Sequence, residues 1–138
     1  DLVKIYSTIQ KKDHQYPSTP NLSLMFALDY QLDRIMEEGI ENRFNRHTEM
    51  ANYVRDWAKK HFELFAEEEY ASNTLTTVKN TKGISVKDLN NELGKRGFMI
   101  SNGYGDLKEK TFRIAHMADT TLDEVKELLG HIEEILGL

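Results

Sequence analysis

The stretch TFRIAHMA, residues 111–118, decides the fold of the second half of this chain. Its apolar residues alternate with others, which predicts a β-strand with Phe112 and Ile114 facing a core and Arg113 facing the opposite side. Such alternation is typical of an antiparallel sheet with one packed face and one open face. The stretch therefore predicts a strand that presents one guanidinium on the open face of a small sheet.

The segments around this strand complete a small α+β domain. The predicted strands cover residues 62–66, 72–80, 98–102 and 111–117, and the predicted helices cover residues 85–97 and 120–136. Ser85 is the expected cap of the first helix, which ends at Gly97, and Thr120 or Thr121 is the expected cap of the second. The order β-β-α-β-β-α indicates a small, mostly antiparallel sheet with covering helices.

The first half of the chain has helical patterns. A short helix is predicted near residues 1–12, then a loop that holds both prolines, with Asn21 or Ser23 as the cap of the next helix. Residues 22–39 and 41–61 predict a long helix or helix pair that is continuous or bent at Gly39. Their predicted apolar faces contain Leu24, Leu28, Leu32, Ile35 and Met36 in the first, and Phe44, Met50, Ala51, Val54, Trp57 and Ala58 in the second.

Composition limits the function classes. The chain has 138 residues, of which 39% are hydrophobic and 30% charged, as in one compact globular domain. A net charge of -5 argues against nucleic-acid binding, because no basic face is expected to neutralise phosphates. The absence of cysteine excludes a disulfide framework and a cysteine nucleophile. Without a bilayer-length apolar run or a leader-like opening, we expect a cytoplasmic protein with no membrane partner.

The five histidines do not form a metal motif. His14, His47, His61, His116 and His131 lack the spacing of a ligand set. We therefore predict surface or capping histidines and no metal site.

Two anion-binding hypotheses stand beside plainer interpretations. Arg113 is either an arginine on a solvated sheet face or a bidentate receptor for a planar carboxylate. Gly103 and Gly105 permit a tight loop that approaches its strand closely. Tyr16 and Thr19, in a proline-bracketed loop before a helix, are either ordinary polar loop residues or ligands of a phosphate.

Two long motifs in the chain resemble the class V aminotransferases, in particular the alanine–glyoxylate / serine–pyruvate aminotransferase family, which are pyridoxal-phosphate enzymes of fold type I. The first motif is YPSTPNLSLMFALDYQLDRIMEEGIENRFNRH, residues 16–47, similar to that family's TP loop, SL-x-x-AL helix start and EEGLENRF-x-RH continuation. The second is ISNGYGDLKEKTFRIAHMAD, residues 100–119, similar to the family's I-x-GG-x-G-x-x-x-GK-x-FRIGHMG. Asn102, Glu109 and Ala115 stand where the family usually has glycine.

The resemblance implies roles for particular residues. Arg113 matches the family's arginine that binds the substrate α-carboxylate. Tyr16 and Thr19 match residues that reach the phosphate of pyridoxal 5'-phosphate in the neighbouring subunit of a homodimer. Gly103 and Gly105 match a loop that shapes the substrate entrance. The implied substrates are an amino acid and a 2-keto acid.

The resemblance also implies that this chain is a portion of a longer protein. Residues 1–45 would be the tail of a large domain with an interdomain loop and helix, and residues 46–138 the small C-terminal α+β domain. The lysine that holds the cofactor would precede Asp1, so we expect no catalytic residue here and an inactive chain when it is alone. The parent would move an amino group between an alanine, serine or aspartate type of donor and a glyoxylate or pyruvate type of acceptor.

Three alternatives to this function stay open. The parent is alternatively a phosphoserine aminotransferase, or a pyridoxal-phosphate lyase or desulfurase, because these proteins share the scaffold. The third alternative is a non-enzymatic α+β module that binds a ligand or a partner, in which Arg113 is a plain surface arginine.

Overall fold

A computed structural model describes residues 2–11 and 19–138 of the chain. The chain divides into two compact units, one ending at Ile40 and the other covering Glu41–Leu138. Within the described residues there are five α-helices and four strands, in the order α1 (Leu2–Gln10), α2 (Leu22–Glu38), α3 (Ile40–His61), β1 (Glu63–Leu64), β2 (Leu75–Lys79), α4 (Val86–Lys95), β3 (Ser101–Asn102), β4 (Thr111–Ala115) and α5 (Leu122–Leu136). None of these helices has the length and apolarity that a membrane crossing requires.

The ends of α2 follow from its capping residues. The side chain of Asn21 accepts a hydrogen bond from the backbone N–H of Leu24 at 3.1 Å, which satisfies one free donor of the first turn. Gly39 ends the helix with a φ of 84°, and its N–H donates to the carbonyl of Ile35 at 3.0 Å. Asn21 is thus the cap, rather than Ser23, and the predicted end at Gly39 is confirmed.

The predicted apolar face of α2 exists but is exposed. No residue of α2 is buried, and Leu24 and Met36 are 66% and 74% exposed. Helical periodicity identifies side chains that share a face, whereas burial needs a second surface against that face. No described residue of the first unit provides such a surface.

The second unit starts with the buried face of α3. Its buried residues are His47, Met50, Ala51, Val54, Arg55, Trp57 and Ala58. Phe44 was predicted to share this face but is 57% exposed, because the buried stretch of α3 begins only at His47.

The sheet is antiparallel throughout, with the strand order β1-β2-β4-β3. Thr76 and Val78 of β2 and Phe112 and Ile114 of β4 are buried on one face, as the alternation predicted. The outer strands β1 and β3 span two residues each instead of the five predicted. Both are edge strands, so each forms backbone hydrogen bonds with one neighbouring strand only, and two paired residues are enough to attach it to the sheet.

Capping side chains set the starts of α4 and α5. Ser85 accepts the N–H of Asp88 at 3.1 Å, as predicted. Thr121, rather than Thr120, caps α5 and forms a reciprocal capping box with Glu124. These hydrogen bonds to Thr121 lower the pKa of the Glu124 carboxyl, because they favour its charged form.

One hydrophobic core joins the sheet to α3, α4 and α5. Its buried members are Met50, Val54, Trp57, Ala58, Phe62, Val78, Val86, Leu89, Leu93, Ile100, Phe112, Ile114, Val125, Leu128, Leu129 and Ile132. The predicted α+β class and the order β-β-α-β-β-α are confirmed.

Candidate functional site

Arg113 lies in the middle of β4, opposite Thr77 of β2 and Ser101 of β3. Its sequence neighbours Phe112 and Ile114 are completely buried in the core. Since successive side chains of a strand point to opposite faces, Arg113 projects from the face away from that core. It is half-buried there, between the central strand and the short outer strand β3.

The guanidinium of Arg113 is held on one edge and one face. Its Nε and Nη2 donate to the carbonyl oxygen of Asn102 at 3.3 and 3.1 Å. Its Cζ lies over the ring of Tyr104, 4.2 Å from the ring centroid. Within residues 2–11 and 19–138, no carboxylate lies within 4.0 Å of this guanidinium. Nη1 donates no hydrogen bond to a described residue, so its N–H groups are the donors that an anion could use.

Steric constraints explain the two glycines, Gly103 and Gly105, in the loop before β4. The N–H of Gly103 donates to the carbonyl of Thr111 at 3.0 Å, which draws the loop against the start of β4. A Cβ on Gly103 would lie 2.1 Å from the carbonyl oxygen of Leu107, so only glycine fits this position. Gly105 has a φ of 51°, which favours glycine. Both glycines therefore fix the path of the backbone beside Arg113.

Asn102 and Glu109 clamp the two ends of this loop. The side-chain oxygen of Asn102 accepts the N–H groups of Gly103 and Glu109, both at 2.8 Å, and its amide donates to the Glu109 carboxylate. The other carboxylate oxygen accepts the N–H of Val86 at 2.7 Å. Glu109 also has a φ of 61°, which is uncommon for a residue with a side chain. Two of the three departures from the glycine pattern, Asn102 and Glu109, are thus bonded to each other.

The two predicted phosphate ligands precede α2 in the sequence. Tyr16 is outside the described residues. Thr19 is exposed and stands three residues before the first residue of α2. The first turn of α2, residues 22–25, has no acidic side chain, so the partial positive charge of the helix start is not offset there. A hydroxyl next to such a helix start is suited to an anionic phosphate.

Two histidines are buried, which corrects the prediction of surface or capping positions. His47 and His116 are 8% and 0% exposed. His14 lies outside the described residues. His116 is four positions beyond Phe112, so the alternation of β4 continues to it and places it on the core side. In the part of the chain that the structure describes, no three His, Asp or Glu side chains are arranged to hold a metal ion.

The buried His116 is neutral and fully bonded. Its Nδ1 donates to the carbonyl of Asn73 at 3.2 Å, so its Nε2 accepts from the hydroxyl of Thr76 at 2.9 Å. Burial lowers the pKa of His116 below its ordinary value of 6.5, and the nearby charges of Arg55 and His47 act in the same direction.

We expect the unfolding free energy to fall as the pH drops below 6.5. Because its pKa is lowered in the folded chain, His116 takes up its proton at a higher pH in the unfolded chain, so the unfolded state binds more protons. The loss is at most about 1.4 kcal/mol per pH unit for one proton. Urea unfolding from about pH 8 to about pH 5 measures it, and His116→Gln should flatten this part of the curve. An equal slope in His116→Gln would contradict the assignment, and His131→Gln is the matched control.

Asn102 and Tyr104 are parts of the site that the sequence did not reveal. Asn102 contributes a backbone carbonyl, a group that every residue has. Tyr104 was visible as the aromatic residue between Gly103 and Gly105, but nothing in the pattern pointed its ring at Arg113.

The chain is similar in sequence and in fold to proteins named as aminotransferases. No family model matches the chain. It is 35% identical to an uncharacterized aminotransferase of Methanocaldococcus jannaschii over 130 residues, 93% of this chain and 34% of that protein. It is 29% identical to a serine–glyoxylate aminotransferase of Arabidopsis thaliana, over 99% of this chain and 34% of that protein.

A solved alanine–glyoxylate aminotransferase from Nostoc sp. has a similar fold, with a TM-score of 0.81 and 26% identity, over 97% of this chain and 36% of that one. The chain thus spans about a third of the length of these relatives.

Proposed function

We propose that this chain is the C-terminal third of a class V pyridoxal-phosphate aminotransferase, and that the whole protein transfers an amino group between a small amino acid and a 2-keto acid; the aminotransferases that the chain matches over about a third of their length support this. The donor would be of the alanine, serine or aspartate type, and the acceptor of the glyoxylate or pyruvate type. Relatives named for glyoxylate as acceptor support this substrate class.

The proposal rests on the position and the contacts of the Arg113 guanidinium. Both substrate classes share a carboxylate next to the reacting carbon, and a guanidinium edge can hold that group with two parallel hydrogen bonds. Arg113 is fixed by Asn102 and Tyr104, and no described carboxylate neutralises it. In our proposal this arginine binds the substrate carboxylate and orients the amino or keto carbon, which is catalysis by positioning.

The residues of this chain fit a phosphate-bearing cofactor at one place. Pyridoxal phosphate, when bound, supplies an electron sink for breaking the bond between the α-carbon and its proton. Thr19 and Tyr16 would hold its phosphate, from one subunit of a homodimer to the other. The exposed hydroxyl of Thr19 ahead of the uncompensated start of α2 supports this assignment. The lysine that carries the cofactor lies outside this chain in our proposal.

Domain organisation and location complete the proposal. Residues 1–45 would belong to the tail of the large domain and the interdomain segment, and residues 46–138 to the small domain. The compact unit over Glu41–Leu138 supports a boundary in this region. A cytoplasmic location accords with the composition of the chain.

A donor and acceptor screen tests the function. The whole protein, loaded with pyridoxal phosphate, is assayed with alanine, serine, aspartate and phosphoserine as donors and with glyoxylate and pyruvate as acceptors. We expect transfer to glyoxylate or pyruvate from one of the three small donors. The same screen on the 138-residue chain alone should show no transfer, and borohydride should fix no cofactor to its lysines.

Other outcomes of the screen identify the alternatives. Activity with phosphoserine only would identify the protein as a phosphoserine aminotransferase. Elimination or desulfuration without amino-group transfer would identify it as a pyridoxal-phosphate lyase or desulfurase. Inactivity of the whole protein with every pair would favour a non-enzymatic binding module. Cofactor fixed stoichiometrically to the chain alone would refute our placement of the lysine.

A further inference from the structure

Tyr104 is an exposed aromatic residue that contacts the candidate receptor and not the core. Its side chain is 78% exposed, and it is not a member of the hydrophobic core cluster. Its ring nevertheless lies under the guanidinium of Arg113, with 4.2 Å between Cζ and the ring centroid. An aromatic ring in this position contributes little to folding, so its contact with Arg113 calls for another explanation.

The contacts of Arg113 leave part of its guanidinium for a ligand. The carbonyl of Asn102 takes hydrogen bonds from Nε and Nη2, which fixes one edge of the planar group. The ring of Tyr104 lies against one face and attracts the positive charge through its π-electrons. Together these contacts hold the plane of the guanidinium and leave the N–H groups of Nη1 as donors without a bonded partner among the described residues. A free arginine side chain would lose much more rotational freedom when it binds a carboxylate.

The loop that carries Tyr104 is itself fixed. The N–H of Gly103 is bonded to the carbonyl of Thr111, and the backbone of Leu107 occupies the space where a Cβ of residue 103 would lie. The clamp between Asn102 and Glu109 ties the two ends of the loop. The ring is therefore presented by a rigid backbone rather than by a mobile surface segment.

We propose that Tyr104 is a positioning residue, which holds the Arg113 guanidinium in the plane that receives the substrate carboxylate. The inference rests on the proposed function of Arg113 and adds a residue to that site. Tyr104 acts through Arg113, so removal of its ring weakens carboxylate binding and leaves the fold unchanged.

The experiment measures carboxylate binding separately from turnover. The Nε–H signal of Arg113 is followed by NMR while pyruvate is titrated into the cofactor-free protein, for wild type, Tyr104→Ala and Tyr104→Phe. We expect Tyr104→Ala to raise the dissociation constant by about 3- to 30-fold and Tyr104→Phe to restore it to within about twofold. In the loaded whole protein the same variants should change KM more than kcat. Tyr70→Ala is the matched control, because Tyr70 is 75% exposed and its ring makes no cation–π contact with a lysine or arginine among the described residues.

The outcomes separate this inference from the proposed function. Unchanged pyruvate binding in Tyr104→Ala, or equal weakening in Tyr70→Ala, would overturn the inference. A melting temperature lowered in Tyr104→Ala but not in Tyr104→Phe or Tyr70→Ala would show a structural role and overturn it too. No response of Arg113 to pyruvate in wild type would refute the receptor and Tyr104 with it. A response with the expected order of variants, but no transamination by the whole protein, would refute the function alone.

Discussion

Replacing Arg113 with lysine should lower kcat/KM of the whole protein by roughly 30-fold to several thousandfold, equivalent to about 2–5 kcal/mol of transition-state binding. Lysine keeps the charge but replaces the planar fork with a single ammonium group, which cannot make two parallel bonds to a carboxylate. It also loses the bonds to the Asn102 carbonyl and the flat contact with Tyr104. The loss should appear with both the amino-acid and the keto-acid substrate, because both present a carboxylate.

A matched exchange separates this effect from a general change of arginine to lysine. Arg96 at the end of α4 forms a surface ion pair with Glu134, so Arg96→Lys should leave kcat/KM unchanged. Both variants should remain fully folded in the absence of urea, since neither arginine belongs to the hydrophobic core, so a loss of kcat/KM would not reflect unfolding. If Arg113→Lys stays within about threefold of wild type for both substrates, Arg113 is not the carboxylate receptor.

The fold was largely predictable because local signals and the core pattern agree. In β4, the alternation of Phe112 and Ile114 with Arg113 predicted both the strand and the face that is buried. Ser85 and Thr121 marked the starts of two helices because their hydroxyls satisfy backbone donors that the helix cannot satisfy itself. Such signals act over a few residues, so the sequence alone displays them.

The errors arose where burial depends on residues distant in sequence. The apolar stripe of α2 predicts a shared face, but its exposure depends on which surface covers it. His116 is different, since the alternation of Phe112 and Ile114 already placed it on the core side. Its polar ring suggested a surface position, and only the structure shows that Thr76 and Asn73 satisfy both ring nitrogens.

In the candidate site, the sequence could indicate the charge but not the groups that hold it. The position of Arg113 on the open face follows from strand geometry. The carbonyl of Asn102 and the ring of Tyr104 reach Arg113 through the path of the loop, which depends on backbone angles. One of those angles is the positive φ of Glu109, a conformation that sequence patterns assign to glycine.

Gly103→Ala should destabilise the protein by about 1–3 kcal/mol and also lower its affinity for carboxylates. The new Cβ would lie 2.1 Å from the backbone oxygen of Leu107 and 2.6 Å from the hydroxyl oxygen of Thr111, so the loop must move away from β4. That movement would carry the Tyr104 ring away from Arg113. Urea unfolding measures the first effect, and pyruvate titration at a urea-free, fully folded condition measures the second.

A second glycine in the same chain gives the opposite expectation for the same chemical change. Gly130 lies within α5, and a Cβ there would meet no atom within 4 Å. Gly130→Ala should therefore stabilise the protein by about 0.5–1 kcal/mol, because alanine loses less backbone freedom than glycine when the helix forms. The opposite signs of the two variants would tie the effect of Gly103→Ala to the contact with Leu107. If Gly103→Ala instead leaves both stability and pyruvate affinity unchanged, the loop is not held against β4 and does not position the guanidinium of Arg113.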